Sequence, residues 1–99
     1  MAHILSPEAE AQLDGIWLYI AKESGNPDIA DRFIDTLTER FYLLSLNPRI
    51  GRRRDDDLRP GIRSFPVGQY ILLYRIEGED VRILHVVRGS RNIEALFSL

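Results

Sequence analysis

Residues 62–88 read IRSFPVGQYILLYRIEGEDVRILHVVR, and within this stretch the composition of the chain changes. All four valines lie between Val67 and Val87, while no alanine occurs between Ala30 and Ala95. Helix formers give way to β-branched and aromatic residues, which suit a pleated, half-buried surface. Strands are predicted at Ile62–Phe65, Gln69–Ile76 and Val81–Arg88. The connections Pro66-Val67-Gly68 and Glu77-Gly78-Glu79-Asp80 are short enough only for antiparallel neighbours, so the three strands form a meander.

Upstream, the period is helical. Ser6-Pro7-Glu8 supplies a capping hydroxyl, a proline pre-set for the first helical position and an acid near the positive helix end. Ala9, Leu13, Ile16, Trp17 and Ile20 then share one stripe, which predicts a helix from Pro7 to about Glu23 with Trp17 in the core. Gly25 stops it, Asn26-Pro27-Asp28 repeats the start signal, and Asn47-Pro48 ends a second helix. Its stripe is Ala30, Phe33, Ile34, Leu37, Phe41 and Leu44. Leu18, Tyr42, Leu43 and Leu46 fall off both stripes and are the candidates for apolar surface that a partner covers.

Arg49 to Arg63 has no period and reads as an exposed connecting loop. Ala2 to Leu5 can add an edge strand, and Asn92 to Leu96 is either a short terminal helix or an extended tail. The sum is an α+β chain, a single domain over residues 1–99, with an N-terminal antiparallel helix hairpin packed on a mostly antiparallel sheet of three to four strands.

Composition excludes several functions. With no cysteine and only His3 and His85, the 99 residues offer no disulfide, no thiol nucleophile and poor material for zinc, so neither metal nor cofactor is expected. The longest uncharged run, Ser64 to Tyr74, has 11 residues, about half of what a membrane-spanning helix needs. The net charge of −2 argues against direct nucleic-acid binding, but it is unevenly spread. Residues 1–48 hold three basic and eight acidic groups, and residues 49–99 hold ten and seven. Twelve of the thirteen basic residues are arginines, suited to planar contacts with carboxylate or phosphate. Gly51 and Gly61 match the spacing of no phosphate-binding loop.

The order of elements, together with Leu5-Ser6-Pro7-Glu8-Ala9, Ile16-Trp17-Leu18-Tyr19-Ile20, Asn47-Pro48-Arg49-Ile50-Gly51, the stretch from Leu58 to Gly68, Tyr70 to Tyr74 and Arg88-Gly89-Ser90-Arg91, resembles the RelE/ParE superfamily of bacterial toxins, and within it the ParE branch. The resemblance spans nearly the whole chain. It implies a RelE-like fold and a cytoplasmic toxin of a type II toxin–antitoxin system, held by a ParD-like antitoxin and directed at DNA gyrase.

The sister RelE branch cleaves mRNA on the ribosome, chemistry that needs groups to move protons as well as groups to steady phosphorane charge. Arg63, Arg75, Arg82 and Arg88 could serve the second need. For the first, RelE-like enzymes often use a tyrosine near the C-terminus, where this chain has Phe97 in Glu94-Ala95-Leu96-Phe97-Ser98-Leu99. His85, alternating with Ile83 and Val87, reads as a structural residue rather than an acid or base. The expectation is therefore an inhibitor that binds, with no catalytic residue assigned. The alternatives are a ribosome-dependent endoribonuclease and an inactive partner-binding domain. Arg59, Arg63, Arg88 and Arg91 are the candidate target-binding residues, ahead of Arg32 and Arg40 of the second helix. Arg52 and Arg53 join them through the run Arg52-Arg53-Arg54-Asp55-Asp56-Asp57, which is either a recognition loop or a self-neutralising one.

Overall fold

A computed structural model describes residues 2–97. Ser6 caps the first helix as its sequence requires: its Oγ accepts the Ala9 N–H at 3.0 Å and donates to the Leu84 carbonyl at 2.7 Å. That helix, α1, spans Pro7–Ser24 and stops at Gly25, whose φ of 66° is left-handed. Asn26 then accepts the Asp28 N–H at 2.9 Å and starts α2, Pro27–Leu46. Both prolines occupy the first turn, where their missing N–H costs nothing.

The strands are β1 (His3–Leu5), β2 (Arg52–Arg53), β3 (Arg63–Val67), β4 (Tyr70–Glu77) and β5 (Asp80–Arg88), in the spatial order β1-β5-β4-β3-β2. All neighbours are antiparallel except β1, which runs parallel to β5 because the whole hairpin crosses over between them. The sheet thus has five strands, not three to four. The extra one, β2, lies in the stretch expected to be irregular: Arg52 and Arg53 pair with Ser64 and Arg63. Strand β3 starts one residue later than expected and runs on through Pro66 to Val67. Proline is tolerated there because β2 pairs only with residues 63 and 64, leaving Pro66 on an open edge. Both meander turns tighten to two residues, Gly68-Gln69 and Gly78-Glu79, led by glycines with φ of 59° and 61°. A short 3₁₀ turn, Ile93–Phe97, realises the helical alternative for the C-terminal stretch.

Leu84 is skipped in the β4–β5 register: Leu73 pairs with His85 and Tyr74 with Ile83. This bulge shifts the alternation, so Val81, Ile83 and Val86 all join the core under the hairpin while Val87 joins a second cluster. His85 therefore does not share a face with Ile83, contrary to simple alternation.

The main core packs Ala9, Ile16, Leu37, Phe41 and Leu44 of the hairpin onto Leu72, Tyr74, Val81, Ile83 and Val86. Trp17 is not among them. It is half-buried at the seam between the helices, where its indole N–H donates to Asp31 Oδ1 at 2.7 Å. Across the sheet, Leu73, Val87 and Ile93 form a smaller cluster, covered by Leu58, Ile71, Leu96 and Phe97. Strand β4 is thus apolar on both faces, which explains its unbroken run from Tyr70 to Tyr74.

Candidate functional site

The six candidate arginines do not form one cluster. Arg88 ends β5, with its guanidinium carbon 5.6 Å from the Tyr19 ring centre and 5.8 Å from that of Tyr70. Its Nη2 donates to Gln69 Oε1 at 2.7 Å, so the side chain is held on three sides. The Arg91 N–H donates to the Arg88 carbonyl at 3.1 Å, closing a turn that brings both residues to the rim of one hollow of about 370 Å³.

Arg63 and Arg53 border a different hollow, with Arg49. Arg63 Nη1 donates to the carbonyls of Gly51 at 2.9 Å and Arg49 at 3.2 Å, and so secures the loop after α2. Arg53 pairs with Asp55 at 2.8 Å, and Asp55 also accepts the Gly61 N–H at 2.8 Å. That N–H, followed by the Arg53 contact, holds the Asp55 carboxyl below the ordinary carboxylate range. Arg54 grips Asp57 through Nε and Nη2, at 2.9 Å and 2.6 Å to one oxygen; the contact lowers the Asp57 carboxyl and raises the guanidinium. Two of the three arginines in the run are thus paired inside it. Arg52 is exposed and lines a separate hollow with Ile50, Ser64 and Phe65.

Arg59 lies on the far face of the sheet, donating to the Phe97 carbonyl. It shares a fourth hollow with Arg75, His85 and Glu8. Gln12 is a residue that periodicity does not mark: its Oε1 accepts the Val86 N–H at 2.7 Å on the free edge of β5 beyond β1, and its Nε2 donates to His85 Nδ1 at 3.0 Å. With the amide fixed at both ends, His85 carries its proton on Nε2. The imidazole also meets the Phe97 ring edge-on at 5.6 Å. Burial lowers the His85 pKa, Glu8 opposes the shift and Arg91 adds to it.

Of the apolar partner-facing residues, Leu18, Tyr42 and Leu46 are 55%, 60% and 56% exposed, whereas Leu43 is half-buried. Tyr42 and Leu46 stand one turn apart on α2 and form one patch. Leu18 follows Trp17, which is tied to Asp31, and Asp31 is about 16 Å from Tyr42 along α2 at 1.5 Å per residue. It belongs to another region. Ile4, Tyr19, Ile29 and Ile50 are further exposed apolar residues that belong to neither helical stripe. Tyr19 and Tyr70, which clamp Arg88, were legible only as members of the motif strings. Among the described residues, no group of three or more His, Asp or Glu side chains could hold a metal, and no helix is long and apolar enough to cross a membrane.

Comparison with known proteins accords with these features. Residues 4–93 match the family model of the ParE toxin of the type II toxin–antitoxin system parDE. The chain is 39% identical over 83 residues to Toxin ParE3 of Caulobacter vibrioides, covering 84% of this chain and 81% of that one. It is 38% identical over 87 residues to Toxin ParE1 of Mycobacterium tuberculosis, covering 84% and 87%. Among solved structures, the chromosomal ParDE TA system from P. aeruginosa superposes with a TM-score of 0.76 at 23% identity, covering 89% of this chain and 95% of that one, a likeness of fold. The chain belongs to the ParE branch of the RelE/ParE superfamily and is a ParE-type toxin of a type II toxin–antitoxin system.

Proposed function

We propose that this chain arrests growth in the cytoplasm by binding DNA gyrase, and that a ParD-like antitoxin neutralises it. The observation that carries the reading is the family match across residues 4–93. The chemistry of the surface supports binding over cleavage. The nitrogen of His85 that could take a proton is already occupied by Gln12, and Phe97 covers the ring where a nuclease of this superfamily would want a hydroxyl. Arg52, Arg53, Arg59, Arg63, Arg88 and Arg91 are assigned to the target, and Leu18, Tyr42, Leu43 and Leu46 to the antitoxin.

The test is DNA supercoiling by purified gyrase with the chain added, read together with gyrase-dependent DNA breakage. Inhibition with breakage is expected, and relief by the product of the adjacent small gene identifies the antitoxin. Unchanged supercoiling with codon-positioned transcript cuts during translation would replace this reading with the ribonuclease one; neither effect would leave a partner-binding domain.

A further inference from the structure

Gly15 sits in the middle of α1, where glycine is the least favoured residue after proline. No turn requires it, and a Cβ added there would meet nothing within 4 Å. Its open side faces the hollow at the end of β5, whose floor is Ile16 and Val86 and whose rim holds Arg88 and Arg91. Arg88 is fixed between Tyr19 and Tyr70 with one donor spent on Gln69, so its remaining donors are held in place before anything binds. Among the described residues no carboxylate lines the hollow, and every ion pair uses other arginines.

We propose that this hollow receives a segment of a partner protein in which a carboxylate stands beside a large apolar side chain. The carboxylate pairs with Arg88 and Arg91, the apolar group lies on Ile16 and Val86, and Gly15 lets the incoming backbone approach α1. A space of about 370 Å³ suits one such residue pair rather than a folded element. A long polyanion fits less well, since α1 also carries Glu8, Glu10, Asp14 and Glu23 against the single Lys22. Arg88 and Arg91 are also assigned to the target above, so the occupying segment would cover target-facing charge. That consequence alone rests on the proposed function.

The test is an NMR titration of the ¹⁵N-labelled full chain with an acetylated, amidated hexapeptide alternating leucine and glutamate. Saturable shifts are expected at the amides of Gly15, Arg88, Ser90 and Arg91, with none from the leucine–lysine counterpart. Arg88→Gln and Arg91→Gln should each weaken binding about tenfold. Gly15→Leu, at a site with room for the side chain, should abolish it, and Arg91→Gln decides the matter if Gly15→Leu does not fold. Equal response to the lysine peptide, displacement by oligothymidylate, a self-dimer lost in Gly15→Leu, or no shift would each overturn the proposal. The titration uses the chain by itself, so it can fail while gyrase inhibition stands, and the reverse.

Discussion

The Tyr74 hydroxyl accepts the Gly51 N–H at 2.8 Å and donates to the Pro48 carbonyl at 2.8 Å, tying the loop after α2 to the centre of the sheet. The Tyr74 side chain is fully buried, and burial raises its pKa although the Gly51 N–H opposes the shift. A Cβ on residue 51 would lie 2.6 Å from Tyr74 Cε1, inside the ring's contact radius. Gly51→Ala must therefore displace either the ring or the loop, with an expected cost of about 1–3 kcal/mol. Tyr74→Phe leaves two polar backbone groups unpaired at a similar cost of about 1–3 kcal/mol. Each kcal/mol should lower Tm by about 4–8 °C in a domain of this size, which a thermal melt reads directly.

Much of that architecture was legible beforehand, and the failures have physical causes. Helix starts at Ser6-Pro7 and Asn26-Pro27 are local chemistry, so they read correctly. A strand of two residues such as Arg52–Arg53 has no period to detect. The bulge at Leu84 leaves no trace in composition, yet it decides which face His85 takes. Trp17 shares a stripe with Ile16, but a stripe cannot tell the sheet side from the helix seam, and Asp31 gives the indole a polar partner there. Arginine as a residue type was evident; its division among four hollows depends on tertiary placement alone.

Burial of the His85 imidazole makes stability depend on pH. The folded-state pKa of His85 lies below its ordinary value of 6.5, so the unfolded chain binds more protons in the interval between the two. Its contribution is full above about pH 6.5 and is lost as the pH falls through the folded value. His85→Gln removes the titrating group, and the difference between its pH–stability curve and that of the parent should slope only in that interval. Asp55 and Asp57, whose pKa values are also lowered, act in a separate window: their contribution is present above 3.8 and disappears on further acidification.

Placement of the apolar candidates predicts how their effects combine. Tyr42 and Leu46 are neighbours on one face of α2, so alanine at both should weaken antitoxin binding non-additively, with a coupling of about 0.5 kcal/mol or more. Leu18 is separated from that patch by about three helical turns, and its effect should add to theirs within about 0.5 kcal/mol. Calorimetric titration of the single and double variants with the antitoxin measures both.

Alanine at the six arginines proposed to face the target should reduce gyrase inhibition more than alanine at Arg32 or Arg40, but the positions differ in what else they hold. Arg63 secures the carbonyls of Gly51 and Arg49, so Arg63→Ala should also lower Tm, and any loss of inhibition there is shared with a loosened loop. Arg88→Ala exposes two tyrosine rings and frees Gln69, an intermediate case. Arg52 and Arg91 are exposed, and among the described residues neither side chain forms an ion pair. Their alanine variants should stay within about 0.5 kcal/mol of the parent stability. Supercoiling assays and melts on the same preparations therefore give the cleanest comparison at these two positions: full inhibition by both Arg52→Ala and Arg91→Ala would move the target surface elsewhere, and a loss at one alone would choose between opposite ends of the sheet.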